Sequence, residues 1–355
     1  MAETETRRFS LAAGRRFIAS ALGASGLGEA DADAVADMML FADLRGIDSH
    51  GIVRLSGYVA RVKAGGINPR PNIRIARETL STALVEGDNG MGHLVMRFAA
   101  ERAIEKAART GVAWVGTRGS NHAGAGACYA TMPQARDMIG FYLAVANNNH
   151  MAPADGIEAL VGTNPVAVAI PTQDEPPIVL DISTTAISAG KVRLALDRGE
   201  KLPEGLVMDH EGRAVTDPKK AVDALFLPIG GYKGFGLSLV FSLMGSALNG
   251  MGTGRDTVSI DDVSAAGNTG QAIMALDVKA FGDVADFKRR IDKVARDIRT
   301  SKPMPGVSEV RYPGLHGHRT ALARERNGIP IAAHLAQNLD KLAASLGIAR
   351  LEIGP

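Results

Sequence analysis

Between residues 138 and 276 the chain passes through apolar runs at 139–146, 166–170, 178–182 and 272–276, separated by polar loops and interrupted by few helices. Short apolar runs bounded by turn residues read as buried or half-buried strands. Helical patterns in this stretch lie chiefly at about 185–196 and 233–248, so the regular strand-helix alternation that builds a doubly wound parallel sheet is missing. The pattern predicts an α+β fold with a mixed, mostly antiparallel sheet.

Helices gather at the two ends instead. Residues 10–63 read as three helices; in the second, Val35, Met38, Met39 and Ala42 recur at helical spacing and Gly46 is placed to end it. A stretch punctuated by glycine and proline, 65–71, marks a boundary. A strand at 81–86, a helix at 94–109 and a strand at 112–115 lead into Gly119-Ser120-Asn121-His122-Ala123-Gly124-Ala125-Gly126. Farther on, Val284, Phe287, Ile291, Val294 and Ile298 share one helical face, and Leu335, Leu339, Leu342 and Leu346 another. Both helices are expected to pack back on the N-terminal ones.

With 355 residues, 46% hydrophobic and 22% charged, the chain can bury a large core and suggests two lobes. Its 40 basic and 38 acidic residues are dispersed, without a long run or an aromatic-laced patch, which argues against nucleic acid as a partner. Cys128 is the sole cysteine, so an intrachain disulfide is excluded and a reducing, cytoplasmic compartment is the expectation. Arg7-Arg8-Phe9-Ser10-Leu11 has the look of a twin-arginine export signal. Gly14, Arg15 and Arg16 break the apolar region such a signal requires, and Leu11, Phe17, Ile18 and Leu22 fit an amphipathic helix instead. No window reaches the roughly 18 apolar residues of a membrane span.

Chemistry concentrates first at Asp48-Ser49-His50-Gly51-Ile52-Val53-Arg54. A helix starting near Ser49 sets His50 and Arg54 only about 40° apart on one face, with Ile52, Leu55, Val59 and Val62 buried on the other. Guanidinium binds carboxylate through parallel charge-assisted hydrogen bonds, and imidazole exchanges protons near neutrality. A 2-hydroxy or 2-oxo acid suits the pair. The same spacing also describes a solvated polar face made by His50, Arg54 and Arg61.

Hydride chemistry on such an acid needs a nicotinamide, yet no complete Gly-x-Gly-x-x-Gly follows a strand, which disfavours a Rossmann site. Pro228-Ile229-Gly230-Gly231-Tyr232-Lys233-Gly234-Phe235-Gly236 runs instead into a helix. Its glycines let a phosphate approach the backbone, the free amides at the helix start attract an anion, and Lys233 adds charge. A glycine-rich turn with close helix packing is the competing reading. The loops 147–153, with Asn148, and 161–165, with Thr163 and Asn164, offer polar groups to a carboxamide or ribose, though Asn, Gly and Pro are also ordinary turn residues. Leu180-Asp181-Ile182-Ser183-Thr184-Thr185 passes from strand to helix; Asp181 could accept from ribose hydroxyls, and capping accounts for the Ser/Thr run equally. From other classes come a metal-dependent hydrolase on Asp48, His50, His122 and His150, and a non-enzymatic NAD(P)-binding regulator. His316-Gly317-His318 lacks an evident third metal ligand.

Five motifs, Ala42-Asp43-Leu44-Arg45-Gly46-Ile47-Asp48-Ser49-His50-Gly51, Ser120-Asn121-His122, Gly162-Thr163-Asn164-Pro165, Val179-Leu180-Asp181-Ile182-Ser183-Thr184 and Tyr232-Lys233-Gly234-Phe235-Gly236-Leu237, resemble in order and spacing those of the type-2 malate/L-lactate dehydrogenase family. That family also includes sulfolactate, ureidoglycolate and diketogulonate dehydrogenases and cyclic-imine 2-carboxylate reductases. The resemblance implies an oxidoreductase using NAD or NADP on a 2-hydroxy/2-oxo acid such as malate or lactate, with a cyclic-imine 2-carboxylate as the alternative. It implies a non-Rossmann NAD(P)-binding domain at 126–295, a helical N-/C-terminal lobe for substrate and dimerisation at 1–125 plus 296–355, and a homodimer.

By the same resemblance, His50 and His122 transfer protons and Arg54 holds the substrate carboxylate, with Ser49 and Thr163 assisting. Cofactor contacts fall to Asn148, Asn164, Asp181, Ile182, Ser183, Thr184, Thr185, Tyr232, Lys233, Gly234, Leu315 and His316. A basic residue near the adenine ribose would favour NADP, and Lys191 and Arg193 are candidates. The chain departs from the family's pattern at His150, where a small residue or proline is frequent, at Gln271, where histidine is frequent, and at Leu315-His316, which replaces a Gly-Glu pair.

Overall fold

Strands form where the apolar runs stand, and they join into one sheet. The computed structural model describes residues 7–354; within them, the side chains of Ala189, Arg193, Leu194, Asp197 and Arg198 lie outside the description. The N-terminal part comprises β1 (Arg8–Phe9), α1 (Leu11–Ala24), α2 (Glu29–Leu44) and α3 (Leu55–Ala64). Next come β2 (Arg74–Glu78), β3 (Thr82–Gly90), α4 (Gly92–Thr110), β4 (Val112–Ser120), α5 (Gly126–Ala130), β5 (Met138–Ala144), β6 (Val166–Ile170) and β7 (Ile178–Ile182). A small lobe holds α6 (Ala189–Arg198), β8 (Val207–Met208), α7 (Pro218–Ala221) and β9 (Leu225–Phe226). The chain then forms α8 (Tyr232–Gly245), β10 (Gln271–Asp277), α9 (Val284–Arg299), α10 (Leu315–Asn327), β11 (Ile329–Pro330) and α11 (Ala333–Leu346).

Seven strands make the main sheet in the order β2-β3-β4-β10-β5-β6-β7. Only β3 and β4 run parallel, joined through α4; every other neighbouring pair is antiparallel. The expected mixed, mostly antiparallel sheet is what forms. The division expected between residues 125 and 126 falls between β4 and α5, and strands from both sides of it enter this one sheet.

Alanines 99, 103 and 107 let α4 approach one face closely, where it packs with Val85, Val115 and Ile273. On the other face α8 covers Leu143, Val166 and Ala272 through Phe241. A separate helical core joins Phe17 and Leu22 of α1, Val35 and Met39 of α2, Leu55 and Val59 of α3, and Leu339 and Ala343 of α11. The small lobe has a core of its own, including Val192, Val207, Ala221 and Phe226. Its ends lie side by side: the Ala186 amide donates to the Leu227 carbonyl at 2.7 Å, and Thr185 pairs with Pro228. None of the described helices is long and apolar enough to cross a membrane.

Two expectations are corrected. While α11 does pack on the N-terminal helices, α9 does not: its buried Asp292 carboxylate accepts from the amides of Gln173, Asp174 and Glu175 in the β6–β7 turn, and Lys288 pairs with Asp137. Three orphan amides satisfied by one carboxylate fix the helix at the sheet edge, and Val294 and Ile298 stay exposed. The helix expected from Ser49 is also not continuous. Asp48–His50 and Ile52–Arg54 form single 3-10 turns parted at Gly51, and regular helix begins at Leu55.

Candidate active site

The break at Gly51 has a tertiary cause. Asp43, buried near the end of α2, accepts from the Ile52 amide at 2.8 Å, and Gly51 lies so close that a Cβ there would fall 1.9 Å from the carboxylate. Arg324 of α10 donates to the Asp43 carbonyl and pairs with the Asp48 carboxylate. The segment is thus held at both sides, with its apolar residues Ile52, Leu55, Val59 and Val62 buried as expected.

On this frame the ring of His50 stacks against that of His122, centroids 5.5 Å apart at 25°. Ser49 Oγ lies 2.8 Å from His50 Nδ1, and Arg54 donates through Nε to the Ser49 carbonyl at 2.7 Å. One turn along α3, the Tyr58 hydroxyl reaches His122 Nδ1 at 2.7 Å. Positions 50, 54, 58 and 61 therefore do form one stripe, but Arg61 is no solvated residue. It is buried and donates to the carbonyls of Ile260, Asp262, Gly66 and Ala265 and to Asn121 Oδ1, clamping the loop around 260–265 to α3.

His122 sits just past β4, in a loop held by its neighbours. Asn121 donates to Asn89 and Gly90, and the unusual Gln271 is buried with its amide nitrogen 3.0 Å from the Asn121 carbonyl. Gly92 opens α4 against this loop, with no room for a Cβ: the Asn121 carbonyl would lie 2.0 Å away.

Burial pushes His50 down to about 4, helped by the positive charge of Arg54. The same causes, with His50 and His93 added, hold His122 well below the ordinary imidazole range. Both imidazoles are accordingly neutral at neutral pH. A carboxylate on Arg54 would offset the charge that depresses them, so binding an anionic substrate makes protonation easier.

The residues expected at a cofactor form a second cluster. Thr184 donates through its amide and its hydroxyl to the Thr163 carbonyl, both at 2.9 Å. Ile229 donates to the Thr184 carbonyl, and Gly234 packs where a Cβ would lie 2.4 Å from the Ile229 carbonyl. Gly230 and Gly231 adopt φ of 61° and 65°, left-handed backbone that glycine takes without strain. Tyr232 and Lys233 are exposed at the start of α8, and Ile182 is exposed at the end of β7. Ser183 and Thr185 bond each other at 3.1 Å. Asp181, raised by burial to about 6, accepts from the Ala127 amide at 2.8 Å and so ties this strand to α5, which follows the loop carrying His122. Gly190 of α6 reaches the 48–54 segment: its Cβ would lie 3.0 Å from that of Ser49.

Other expected contacts are committed elsewhere. Asn164 is fully buried, accepting from Ala146 and donating to Ser238 and Ser242, so its side chain pins its loop to α8. Asn148 bonds Asp261, Ser259 and the Ile260 amide. Leu315 is buried with Ala295 and Tyr312, and His316 lies 3.5 Å from Arg311 Nη1. Lys191 is exposed, while the side chain of Arg193 lies outside the description. His150 stacks on Phe226 at 5.3 Å, and among the described residues no three His, Cys, Asp or Glu side chains converge as a metal site would require. Sequence reasoning missed Asp43, Tyr58 and Gln271 as supports. Tyr58 had a signal, its position four residues after Arg54; the other two are visible only in three dimensions.

A sequence model of the family described as malate/L-lactate dehydrogenase matches residues 9–340. The L-sulfolactate dehydrogenase of Methanocaldococcus jannaschii is 36% identical over 94% of this chain and 96% of its own. Malate dehydrogenase of Pyrococcus abyssi is 34% identical over 95% of this chain and 94% of its own. The solved malate dehydrogenase from Pyrococcus horikoshii has a TM-score of 0.90 at 32% identity, covering 99% of both chains.

Proposed function

This chain belongs to the malate/L-lactate dehydrogenase family, and from that premise we propose an NAD(P)-dependent dehydrogenase that interconverts a small 2-hydroxy acid and its 2-oxo acid. The observation that carries the reading is the pair of stacked imidazoles, His50 and His122, with Arg54 on the same segment. Arg54 Nη1 and Nη2 make no hydrogen bond to the described residues and are free to grip a carboxylate at its two oxygens. In oxidation a neutral imidazole accepts the hydroxyl proton; in reduction it returns it, a contribution on the order of 10²- to 10⁴-fold. Relatives named for malate and sulfolactate act on acids with a second anionic group, so oxaloacetate and 3-sulfopyruvate head the substrate series, before pyruvate.

The second cluster fits a dinucleotide. The open left-handed backbone at Gly230 and Gly231, together with the start of α8, suits a phosphate, and the half-buried Ser183 hydroxyl suits ribose. A sheet with one parallel pair and the lack of a Gly-x-Gly-x-x-Gly motif support reading this as a non-Rossmann site. When bound, the nicotinamide supplies or takes up the hydride. The loops of Thr163, Thr184 and Gly234, tied to one another by the Thr184–Thr163 and Ile229–Thr184 hydrogen bonds, would form the wall against which it sits.

A homodimer is supported by α8, whose sides are reversed. Gly234, Ser238, Ser242 and Gly245 face the protein, while Leu237, Val240 and Leu243 are 46%, 49% and 49% exposed. Apolar side chains on that scale call for a cover, and a second copy supplies one without a further partner.

The test is nicotinamide absorbance with purified protein, NADH or NADPH, and oxaloacetate, 3-sulfopyruvate, pyruvate and a cyclic imine carboxylate. Consumption with an oxo acid supports the reading and fixes the cofactor. Consumption only with the imine moves the chain to the reductase branch, and no consumption with any pair rejects the proposal.

A further inference from the structure

We infer that Tyr58 is a positioning residue that locks His122 in the Nε2–H tautomer, so that the two imidazoles of the site have different and fixed tasks. The inference rests on the dehydrogenase reading above for its catalytic meaning, and on geometry for the tautomer.

His122 Nδ1 has two neighbours. The Gly124 amide lies 3.3 Å away and can only donate, so Nδ1 must present its lone pair. The Tyr58 hydroxyl, 2.7 Å from the same atom, is then the second donor. Two donors on Nδ1 leave the single proton of the neutral ring on Nε2, which makes no hydrogen bond to the described residues. The opposite tautomer would set an N–H against the Gly124 N–H.

The surroundings hold this arrangement in place. Tyr58 is buried in the face of α3, and His93 meets it edge to face, centroids 5.3 Å apart at 85°. Both ring nitrogens of His93 are buried without a partner, so it neither competes for the phenol proton nor offers one to His122. Gly124 turns its amide toward His122 at φ 71°, and a Cβ there would lie 2.7 Å from His93 Nε2. The remaining charged and titratable neighbours, Arg54, His50 and His93, all disfavour a second proton on His122.

A neutral Nε2–H imidazole is a hydrogen-bond donor and a poor acid, because losing that proton would leave imidazolate. His122 therefore polarises the C2 oxygen. In reduction, with the hydride supplied to C2 by a bound reduced nicotinamide, the C–O π pair would move to oxygen, and protonated His50 would give its proton to that oxygen and return to the neutral form. In oxidation neutral His50 takes the hydroxyl proton while His122 keeps its bond to the oxygen.

The test uses the full-length protein labelled with 15N-histidine and read by long-range proton–nitrogen correlation, with the His122 signals identified by their absence in His122→Gln. The wild type is expected to show His122 with a bare Nδ1 and a protonated Nε2. A protonated Nδ1 there would overturn the inference without any variant being needed. In Tyr58→Phe the pattern should shift toward mixed tautomers, and kcat for reduction should fall about tenfold or more, on the scale of losing part of an oxyanion donor, with KM changed by less than about threefold. A wild-type tautomer and wild-type kcat in Tyr58→Phe would remove Tyr58 from this role. The expected spectra from a chain that reduces no oxo acid would leave the positioning intact and reject the dehydrogenase reading alone.

Discussion

Arg54 is aimed by one hydrogen bond, from its Nε to the Ser49 carbonyl, and so its loss and its conservative replacement should differ. Arg54→Ala should raise KM for the oxo acid by roughly two orders of magnitude with a smaller fall in kcat, whereas Arg54→Lys, which keeps charge without the planar fork, should recover only part of it. Steady-state kinetics on oxaloacetate decides; a wild-type KM in Arg54→Lys would mean that charge alone holds the substrate. Gly51 is needed for space and not for backbone freedom, since its φ is −93° and its neighbour is the Asp43 carboxylate. Gly51→Ala should push Asp43 off the Ile52 amide, lowering stability by about 1–3 kcal/mol and turnover with it. Unchanged urea midpoint and kcat would show that the segment can relax around a methyl group.

Elements built by local periodicity were legible from the residues alone: the helices of the N-terminal lobe, the apolar strands and the stop at Gly46 fall where spacing puts them. The 48–54 segment was not, because its irregularity comes from Asp43, nine residues before Ile52, and from Arg324, far along the chain, whose contacts leave no periodic trace. Asn164 illustrates the same limit, since a loop asparagine reads as a ligand donor and here spends its amide on Ser238 and Ser242 of α8. The helix itself was legible, but its inward face escaped sequence reading: a stretch apolar on all sides gives no preferred face, and only packing shows that serines and glycines turn inward. Leu243→Glu should therefore leave the fold and its thermal transition nearly unchanged while sedimentation shifts from the proposed dimer to monomer. A dimer surviving both Leu243→Glu and Leu237→Glu would place the interface elsewhere.

For the molecule as a whole, the buried titratable groups set the response to acid. His50 and His93 are lowered by burial from 6.5 to about 4 and about 3, and His122 lies well below its ordinary value; between pH 6.5 and about 4 the unfolded chain binds more protons at these sites, so they cost stability as pH falls. Asp43 and Asp181, raised by burial from 3.8 to about 7 and about 6, oppose them over the same span because the fold holds their protons more tightly. Three lowered imidazoles against two raised carboxyls leave a net loss of stability as the pH falls through this span. Urea midpoints at pH 7 and pH 5 measure it, and a higher midpoint at pH 5 would reverse the sign. The small lobe stands apart from this balance, with its own core and with entry and exit segments that are hydrogen-bonded neighbours. Replacing residues 187–226 by a short glycine-containing turn should keep the cooperative melting of the sheet and abolish turnover, as the Gly190 contact with Ser49 is lost; a broad, non-cooperative melt would mean the lobe is part of the main core. A piece attached in this way is an interchangeable cassette: it can be traded or reshaped while the remainder of the chain keeps a folding problem already solved.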